Sequence, residues 1–208
     1  MANYRLLAGI TGVVLGLCSL SVNAAKGLTY SYGEIGYSNL NSDDVDTEGV
    51  TALLSYGATD YVHVKLDYTR FNSANVTTRN FFGVKKLNVD IDRFVMGMGG
   101  NYTLLKKASV FDAVDVFGTL SYYDAEESKD RNNSDRGYQG DAGVRALIKK
   151  KLELNAGVTR LHIDNFHDTG YWGGGVYNFY KKYSASGRIR HFSQDGTTEF
   201  FVGLRLNF

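Results

Sequence analysis

The sequence predicts an all-β fold: a closed, antiparallel, up-and-down transmembrane β-barrel of ten strands, with eight strands as the alternative. Three observations lead to this prediction. Apolar and polar residues alternate along most of the chain, the connections between these segments alternate between long and short, and the last strand ends on Phe208. The length of 208 residues suits one such domain.

The final ten residues show the alternation most clearly. Apolar residues occupy every second position of this segment: Phe200, Val202, Leu204, Leu206 and Phe208. Such a strand has one oily and one polar face, and in an outer-membrane barrel the oily face contacts lipid. Gly203, Leu206 and Phe208 resemble the insertion signal of Gram-negative outer-membrane β-barrels. That resemblance implies the barrel-assembly machinery as a partner.

Nine further segments alternate in the same way, and each has about the ten residues that a tilted strand needs to cross the hydrocarbon. The predicted strands are 28–38, 49–59, 61–71, 92–104, 113–123, 137–148, 152–163, 170–180, 183–193 and 198–208. The connections after the first, third, fifth and seventh strands are polar and mostly long, and most of the others are short turns. Residues 72–91 form the longest loop, unless 80–88 extends the flanking strands above the membrane. The pattern is that of outer-membrane barrels, with short turns and both termini in the periplasm.

The first 24 residues have the features of a secretory signal peptide, which leaves 25–208 as the barrel domain. Arg5 supplies the positive start, 6–20 is apolar, and Val22 to Ala24 precedes the cleavage site. Because Arg5 is one of the 23 basic residues, the remainder has 22 basic and 22 acidic residues, and it has no cysteine. This balance does not point to nucleic acid as a partner.

Composition agrees with strands that cross a membrane. The sequence has no proline, 24 glycines, 15 tyrosines and 12 phenylalanines. Nine aromatic residues near strand ends are assigned to the lipid-facing side, where they would form interface girdles: Tyr56, Tyr61, Tyr68, Phe71, Tyr102, Tyr122, Tyr138, Tyr171 and Tyr183. The run from Gly97 to Gly100 lies inside a strand, and we interpret it as close packing in the lumen.

The polar faces of the predicted strands carry many full charges, which would line the lumen. Six carboxylates and six cations have this parity: Glu34, Lys65, Asp67, Arg93, Asp115, Asp141, Arg145, Glu153, Arg188, Arg190, Glu199 and Arg205. Charges in a narrow lumen are costly unless they are paired. We interpret them as a cross-strand network that fills the interior, and a small pore with a charged lining is the alternative.

One pair of residues could carry catalysis. His191 and Ser193 lie two positions apart on the lipid-facing side of a strand. They resemble the His-x-Ser of outer-membrane lipid A deacylases, in which serine is the nucleophile and histidine is its base. Glu199 would orient the histidine, although its parity points into the lumen. The chain also departs from that family at Gln194, where the family has Asn.

Histidines collect near the predicted outer rim. His162, His167 and His191 lie there, with Asp164 and Asp168 close in sequence. A metal or acid–base site is conceivable with these groups, but polar decoration of an exposed rim is the simpler interpretation. The sequence therefore predicts no metal and no cofactor.

Both ends of the predicted barrel resemble one group of small outer-membrane proteins. The residues from Lys26 to Tyr37 and the Phe-Phe-Val-Gly-Leu-Arg-Leu ending at 200–206 are similar to the sulfation-dependent quorum factor group. The resemblance implies an outer-membrane β-barrel and carries no defined biochemical activity. A looser likeness to OmpX- and OmpA-type barrels concerns architecture only.

These observations predict an exported, monomeric, non-enzymatic barrel in the Gram-negative outer membrane. Its predicted role is structural in the envelope or porin-like for very small solutes, and lipid A deacylation by His191 and Ser193 is the alternative. Outer-membrane lipid and lipopolysaccharide are the expected partners.

Overall fold

The computed structural model describes residues 28–42, 45–80, 83–106, 110–127, 134–163 and 166–208, which form one closed antiparallel barrel. Its strands are β1 (Tyr32–Asn41), β2 (Val45–Gly57), β3 (Val62–Asn80), β4 (Gly83–Lys106), β5 (Phe111–Glu127), β6 (Ser134–Ile148), β7 (Leu152–Ile163), β8 (Phe166–Asn178), β9 (Tyr183–Phe192) and β10 (Thr198–Asn207). The predicted signal peptide lies outside these residues. In the described part of the chain, no helix is long and apolar enough to cross a membrane.

The barrel closes between its first and last strands. β1 pairs with β10, so that Glu34 stands opposite Arg205, and each other pairing joins strands that are consecutive in sequence. The prediction of ten strands is confirmed and the alternative of eight is wrong. The eight-strand alternative assumed that the two weak segments within 170–193 pair differently. In the structure, β8 and β9 pair without interruption from Gly170 opposite Phe192 to Asn178 opposite Ser184.

The hairpin of β3 and β4 is longer than the sequence predicted. β3 continues to Asn80 and β4 begins at Gly83, so most of the predicted loop at 72–91 is paired strand with one register shift after Phe71. The alternative that 80–88 extends the strands is therefore the better description. Strands that project beyond the bilayer need no apolar face, which is why their sequence was interpreted as a loop.

The two faces of the wall differ as the alternation predicted. On β10, Phe200, Val202 and Leu204 are exposed on the outer surface, whereas Phe201 and Arg205 are buried inside. Similar apolar side chains cover the outer surface of the other strands, and they include Ile35, Met98, Leu120, Val158 and Ile189. This exposed apolar surface is the one that contacts lipid in a membrane barrel.

One aromatic assignment is wrong. Phe71 was placed with the lipid-facing residues, but it is only 2% exposed and lies in the lumen. Its parity on β3 is that of Asp67 and Thr69, which are also buried. The Arg93 guanidinium carbon lies 5.4 Å from the centre of the Phe71 ring. Because β3 continues to Asn80, Phe71 lies near the middle of the strand, and its ring packs in the lumen rather than in an interface girdle.

Interior glycines make room for large lumen side chains. A Cβ atom at Gly143 would lie 2.9 Å from Cζ2 of Trp172, and one at Gly99 would lie 2.6 Å from Nε2 of His63. Gly99 belongs to the run from Gly97 to Gly100. Close packing in the lumen, as predicted for this run, agrees with these distances.

Candidate functional site: the charged lumen

The lumen holds the densest set of polar groups in the described residues. All twelve charged residues predicted for it face inward: ten of them are buried, and Lys65 and Arg188 are half-buried. The upper end of the barrel is the end of the long connections, and the lower end carries the short turns and the C-terminus. Seven of the charges form two clusters, one near each end.

The upper cluster consists of Arg93, Arg190 and Glu199. Nη2 and Nη1 of Arg93 donate to the two carboxylate oxygens of Glu199 at 2.6 and 3.1 Å. Nη1 of Arg190 lies 3.6 Å from the same carboxylate. β4 and β10 are separated around the wall by β3, β2 and β1. The pair of Arg93 and Glu199 therefore crosses the lumen rather than joining neighbouring strands.

A chain of hydroxyl groups along the wall supports this crossing. Ser38 and Thr51 share a hydrogen bond of 2.6 Å, and Thr51 and Thr69 share one of 2.9 Å. Nη2 of Arg93 then donates to Thr69 Oγ1 at 3.1 Å. The Arg93 guanidinium is thereby held by β3 on one side and by Glu199 on the other. Multiple charge-assisted bonds of this kind restrict a long side chain to one geometry.

The lower cluster consists of Glu34, Arg145, Glu153 and Arg205. Arg145 binds Glu153 through Nε and Nη2, both at 2.9 Å. Nε of Arg205 donates to Glu34 at 2.6 Å, and its Nη1 lies 3.5 Å from Glu153. The contact between Arg205 on β10 and Glu153 on β7 is a second crossing of the lumen.

Aromatic rings fill the space around the lower cluster. Residues 28–31, predicted as the start of the first strand, precede β1 instead and place Tyr30 inside the barrel. The Tyr30 ring stacks on His63 at 4.8 Å between centroids, and the Arg145 guanidinium carbon lies 4.4 Å from its centre. Arg205 lies over Tyr32 at 3.9 Å. Nη2 of Arg145 also donates to the Thr29 carbonyl at 3.0 Å.

The middle of the lumen is held less tightly. The Asp141 carboxylate accepts hydrogen bonds from Thr159 at 2.5 Å and from Gln139 at 2.8 Å. Lys65 and Arg188 point into this region, and among the described residues neither has a carboxylate oxygen within 4.0 Å. Phe117 and Trp172 pack against each other here, with ring centroids 5.9 Å apart.

Two cavities remain between these side chains. The inner cavity of about 90 Å³ lies between the clusters and is lined by residues of both, together with Lys65, Arg188 and Trp172. The outer cavity of about 330 Å³ lies at the upper end. Arg190 lines both cavities, and Arg93 lines the outer one. The upper cluster therefore forms the partition between them.

The three residues of the predicted catalytic site have separate partners. Nδ1 of His191 lies 3.0 Å from Oγ1 of Thr198, and Ser193 Oγ donates to the Thr169 carbonyl at 2.5 Å. His191 and Ser193 are both exposed, as their parity predicted, whereas Glu199 is buried in the upper cluster. Glu199 is thus on the opposite face of the wall from His191.

The rim residues are arranged for structure. The rings of His162 and His167 stack at 6.2 Å on the exposed surface. Asp168 is fully buried and accepts hydrogen bonds from the backbone amides of Thr169, Gln194 and Asp195, which orders the turn between β9 and β10. Asp164 lies outside the described residues. Within the described chain, no group of three His, Cys, Asp or Glu residues could hold a metal ion.

Sequence reasoning missed four lumen residues that contribute to the site: Tyr30, Phe117, Trp172 and Phe201. Phe117 shares parity with Asp115, and Phe201 shares parity with Glu199 and Arg205, so the alternation contained a signal for both. Arg188 lies 5.3 Å from the centre of the Phe201 ring. Trp172 has the parity of the buried Asp168 and Val176. Tyr30 had no such signal, because it precedes the strand that forms the wall.

A family model agrees with this architecture. The model of the outer membrane protein beta-barrel domain matches residues 11–208. The chain belongs to this family. Membership, together with the closed barrel and its apolar outer surface, places the chain in the outer membrane of a Gram-negative cell. No curated protein matches the sequence.

Solved outer-membrane barrels resemble this one at low sequence identity. The NanC porin is 8% identical with a TM-score of 0.49, over 86% of this chain and 100% of its own. OprG from Pseudomonas aeruginosa is 15% identical with a TM-score of 0.47, over 88% and 98%. A KdgM porin in complex with disordered oligogalacturonate is 11% identical with a TM-score of 0.40, over 84% and 99%. At this level of similarity, these relatives do not indicate a ligand for the present barrel.

Proposed function

We propose that this outer-membrane barrel is a structural, non-enzymatic component of the envelope, and that its lumen does not conduct ions or pass larger solutes. The observation that carries the proposal is the crossing of the lumen by the two-point pair of Arg93 and Glu199. Removing one partner of a buried ion pair costs about 3–5 kcal/mol. Separation of Arg93 from Glu199 would leave two unpaired charges in the lumen, which is unfavourable.

The lower cluster supports the same proposal. Arg205 and Glu153 span the lumen a second time, and Tyr30 fills the lower end beside them. A solute would have to displace both clusters and the ring to pass through. The porin-like role for very small solutes remains the alternative, because a cavity of about 90 Å³ lies between the two clusters and one of about 330 Å³ lies above the upper cluster.

The outer surface supports lipid and lipopolysaccharide as partners. Its exposed apolar side chains extend to the outer end of β10, where Phe200 is exposed beside the rim. Recognition of Gly203, Leu206 and Phe208 by the barrel-assembly machinery remains a prediction, as does the monomeric state. The likeness to the sulfation-dependent quorum factor group adds no activity to the proposal.

Conductance in planar lipid bilayers tests the closed lumen. We expect the wild-type barrel to give no discrete conductance steps. The quadruple variant Tyr30→Ser, Arg93→Ser, Glu199→Ser, Arg205→Ser is expected to conduct, because it removes the lower ring and both crossings of the lumen together. Regular steps from the wild-type protein would contradict the proposal and favour the porin-like alternative.

A matched control separates an opened lumen from a damaged wall. The variant Tyr61→Ser, Tyr102→Ser, Leu120→Ser, Tyr138→Ser also truncates four large side chains, but all four are exposed on the outer surface. This control variant should give no conductance steps, like the wild type. Heat-dependent gel mobility in detergent reports whether each barrel is folded before the recording. A folded but silent lumen variant would show that the barrier lies elsewhere.

Lipid A deacylation stays a hypothesis with its own test. We expect mass spectra of lipid A to show the same acyl pattern with and without expression of the protein, because His191 and Ser193 are bound to Thr198 and Thr169 and Glu199 is committed to Arg93. Ser193→Ala is the control for any change. Loss of an acyl chain that depends on Ser193 would overturn the non-enzymatic proposal.

A further inference from the structure

The inner cavity contains more hydrogen-bond donors and positive charge than its protein surroundings satisfy. Five cationic residues line it, Lys65, Arg145, Arg188, Arg190 and Arg205, against three carboxylates, Glu34, Asp141 and Glu153. Arg190 is already paired with Glu199, which does not line the cavity, so the other lining residues carry a formal excess of one positive charge. We propose that the inner cavity is a binding site for one small anion, a halide or a carboxylate of one or two carbons.

The three carboxylates that line the cavity are already engaged. Glu153 binds Arg145 through both of its oxygens, and Glu34 accepts from Arg205. Both oxygens of Asp141 accept hydrogen bonds, one from Thr159 and one from Gln139. None of them has an oxygen within 4.0 Å of the charged group of either middle cation.

The two middle cations are Lys65 and Arg188. Within the described chain, neither contacts a carboxylate directly, and Asp67 and Asp141 attract Lys65 only from longer range. Arg188 rests on the Phe201 ring at 5.3 Å, which leaves its N–H groups free of carboxylate partners. A buried charge is stable only when it is paired and hydrogen-bonded. An anion between Lys65 and Arg188 would supply that pairing.

Buried donors without a partner provide an independent observation. Nε1 of Trp172 is buried and has no hydrogen-bond partner among the described residues, and the same holds for Nε of Arg190. Both residues line the inner cavity. An indole N–H can only donate, so its partner must be an acceptor. Unpartnered donors and excess positive charge select the same ligand, an anion with exposed lone pairs.

Size limits the ligand. The cavity of about 90 Å³ is well below the roughly 150 Å³ of a cavity that admits benzene. Chloride, formate and acetate are small enough, whereas a sugar acid of six carbons is not. The site is compatible with a lumen that does not conduct, because an anion reaches it by passing one cluster, whereas conduction requires passage past both.

The single tryptophan provides a direct probe. Trp172 is the only tryptophan in the chain, so its fluorescence reports on the inner cavity alone. The folded barrel in detergent would be titrated with sodium formate, acetate or chloride, at constant ionic strength set by sodium gluconate. We expect a saturable change in Trp172 emission with the small anions and none with gluconate. A wild-type protein that shows no saturable change would overturn the proposal.

Two charge-removing variants locate the site. Lys65→Met and Arg188→Met should each raise the dissociation constant at least tenfold, whereas Lys181→Met in an exposed lower turn should leave it unchanged. Heat-dependent gel mobility establishes that each variant is folded. Unchanged affinity in both folded lumen variants would overturn the site. If neither variant folds, the proposal is tested by comparing the wild-type response to small anions with its response to gluconate. Equal responses to acetate and gluconate would reject the cavity as the site.

Discussion

Replacing Glu199 with glutamine is expected to lower the free energy of unfolding by about 3–5 kcal/mol. The substitution keeps the shape of the side chain and removes its charge. Arg93 and Arg190 then share a buried site without the carboxylate that both contact at 3.6 Å or less. Urea titration of the folded barrel in detergent micelles, followed by circular dichroism, measures the change.

A matched control is present on the exposed surface. Glu126→Gln makes the same chemical change in an ion pair with Arg136, whose side chain is 58% exposed and that of Glu126 44%. Exposed pairs contribute about 0–1 kcal/mol, so this variant should lie near the wild type. Equal effects of the two substitutions would contradict the role assigned to the upper cluster.

An apolar replacement of the whole cluster separates pairing from packing. The triple variant Arg93→Met, Arg190→Met, Glu199→Met removes every charge of the upper cluster and keeps comparable volume. Replacing a buried ion cluster by apolar residues is often neutral or stabilising. The triple variant should therefore be more stable than the single Glu199→Gln variant. The reverse order would mean that Glu199 matters for its shape and not for its charge.

The wall of the barrel could be predicted from sequence because one periodicity determines it. Within the bilayer each strand must be apolar on one face and polar on the other, so Phe200 and Arg205 were assigned correctly from position alone. The prediction of a loop at 72–91 was wrong because strands need an apolar outer face only within the bilayer, and these residues extend beyond it. Alternation with a polar outer face cannot be distinguished from a polar loop.

The sequence predicted which charged residues line the lumen, but not which of them pair across it. Parity placed Arg93 and Glu199 on the inner face, but their contact depends on the shear of the closed barrel, which the alternation of single strands does not contain. Neighbouring pairs such as Arg205 and Glu34 follow from strand register once the strand ends are known. The position of Tyr30 depends on the path of the chain before β1, and no periodicity describes it.

Gly203 connects the sequence signal to the closure of the barrel. It was selected from sequence as part of the insertion signal, and the structure adds that it stands opposite Gly36 where β10 meets β1. A Cβ atom at Gly203 would lie 2.7 Å from the Ile35 carbonyl oxygen and 2.6 Å from Cζ of Phe201. Because the backbone of β1 cannot move without breaking the ladder, a side chain at this position opposes closure.

Gly203→Val is therefore expected to destabilise the barrel by about 3 kcal/mol, the upper part of the usual range for overpacking. The folded band in heat-dependent gel mobility should weaken, and the urea midpoint should fall. Gly187→Val on the adjacent strand is the control, because a Cβ there faces outward and meets its nearest atom at 3.7 Å. That variant should stay within about 1 kcal/mol of the wild type. If both substitutions were tolerated equally, close approach of β1 and β10 at Gly36 and Gly203 would not be what closes the barrel.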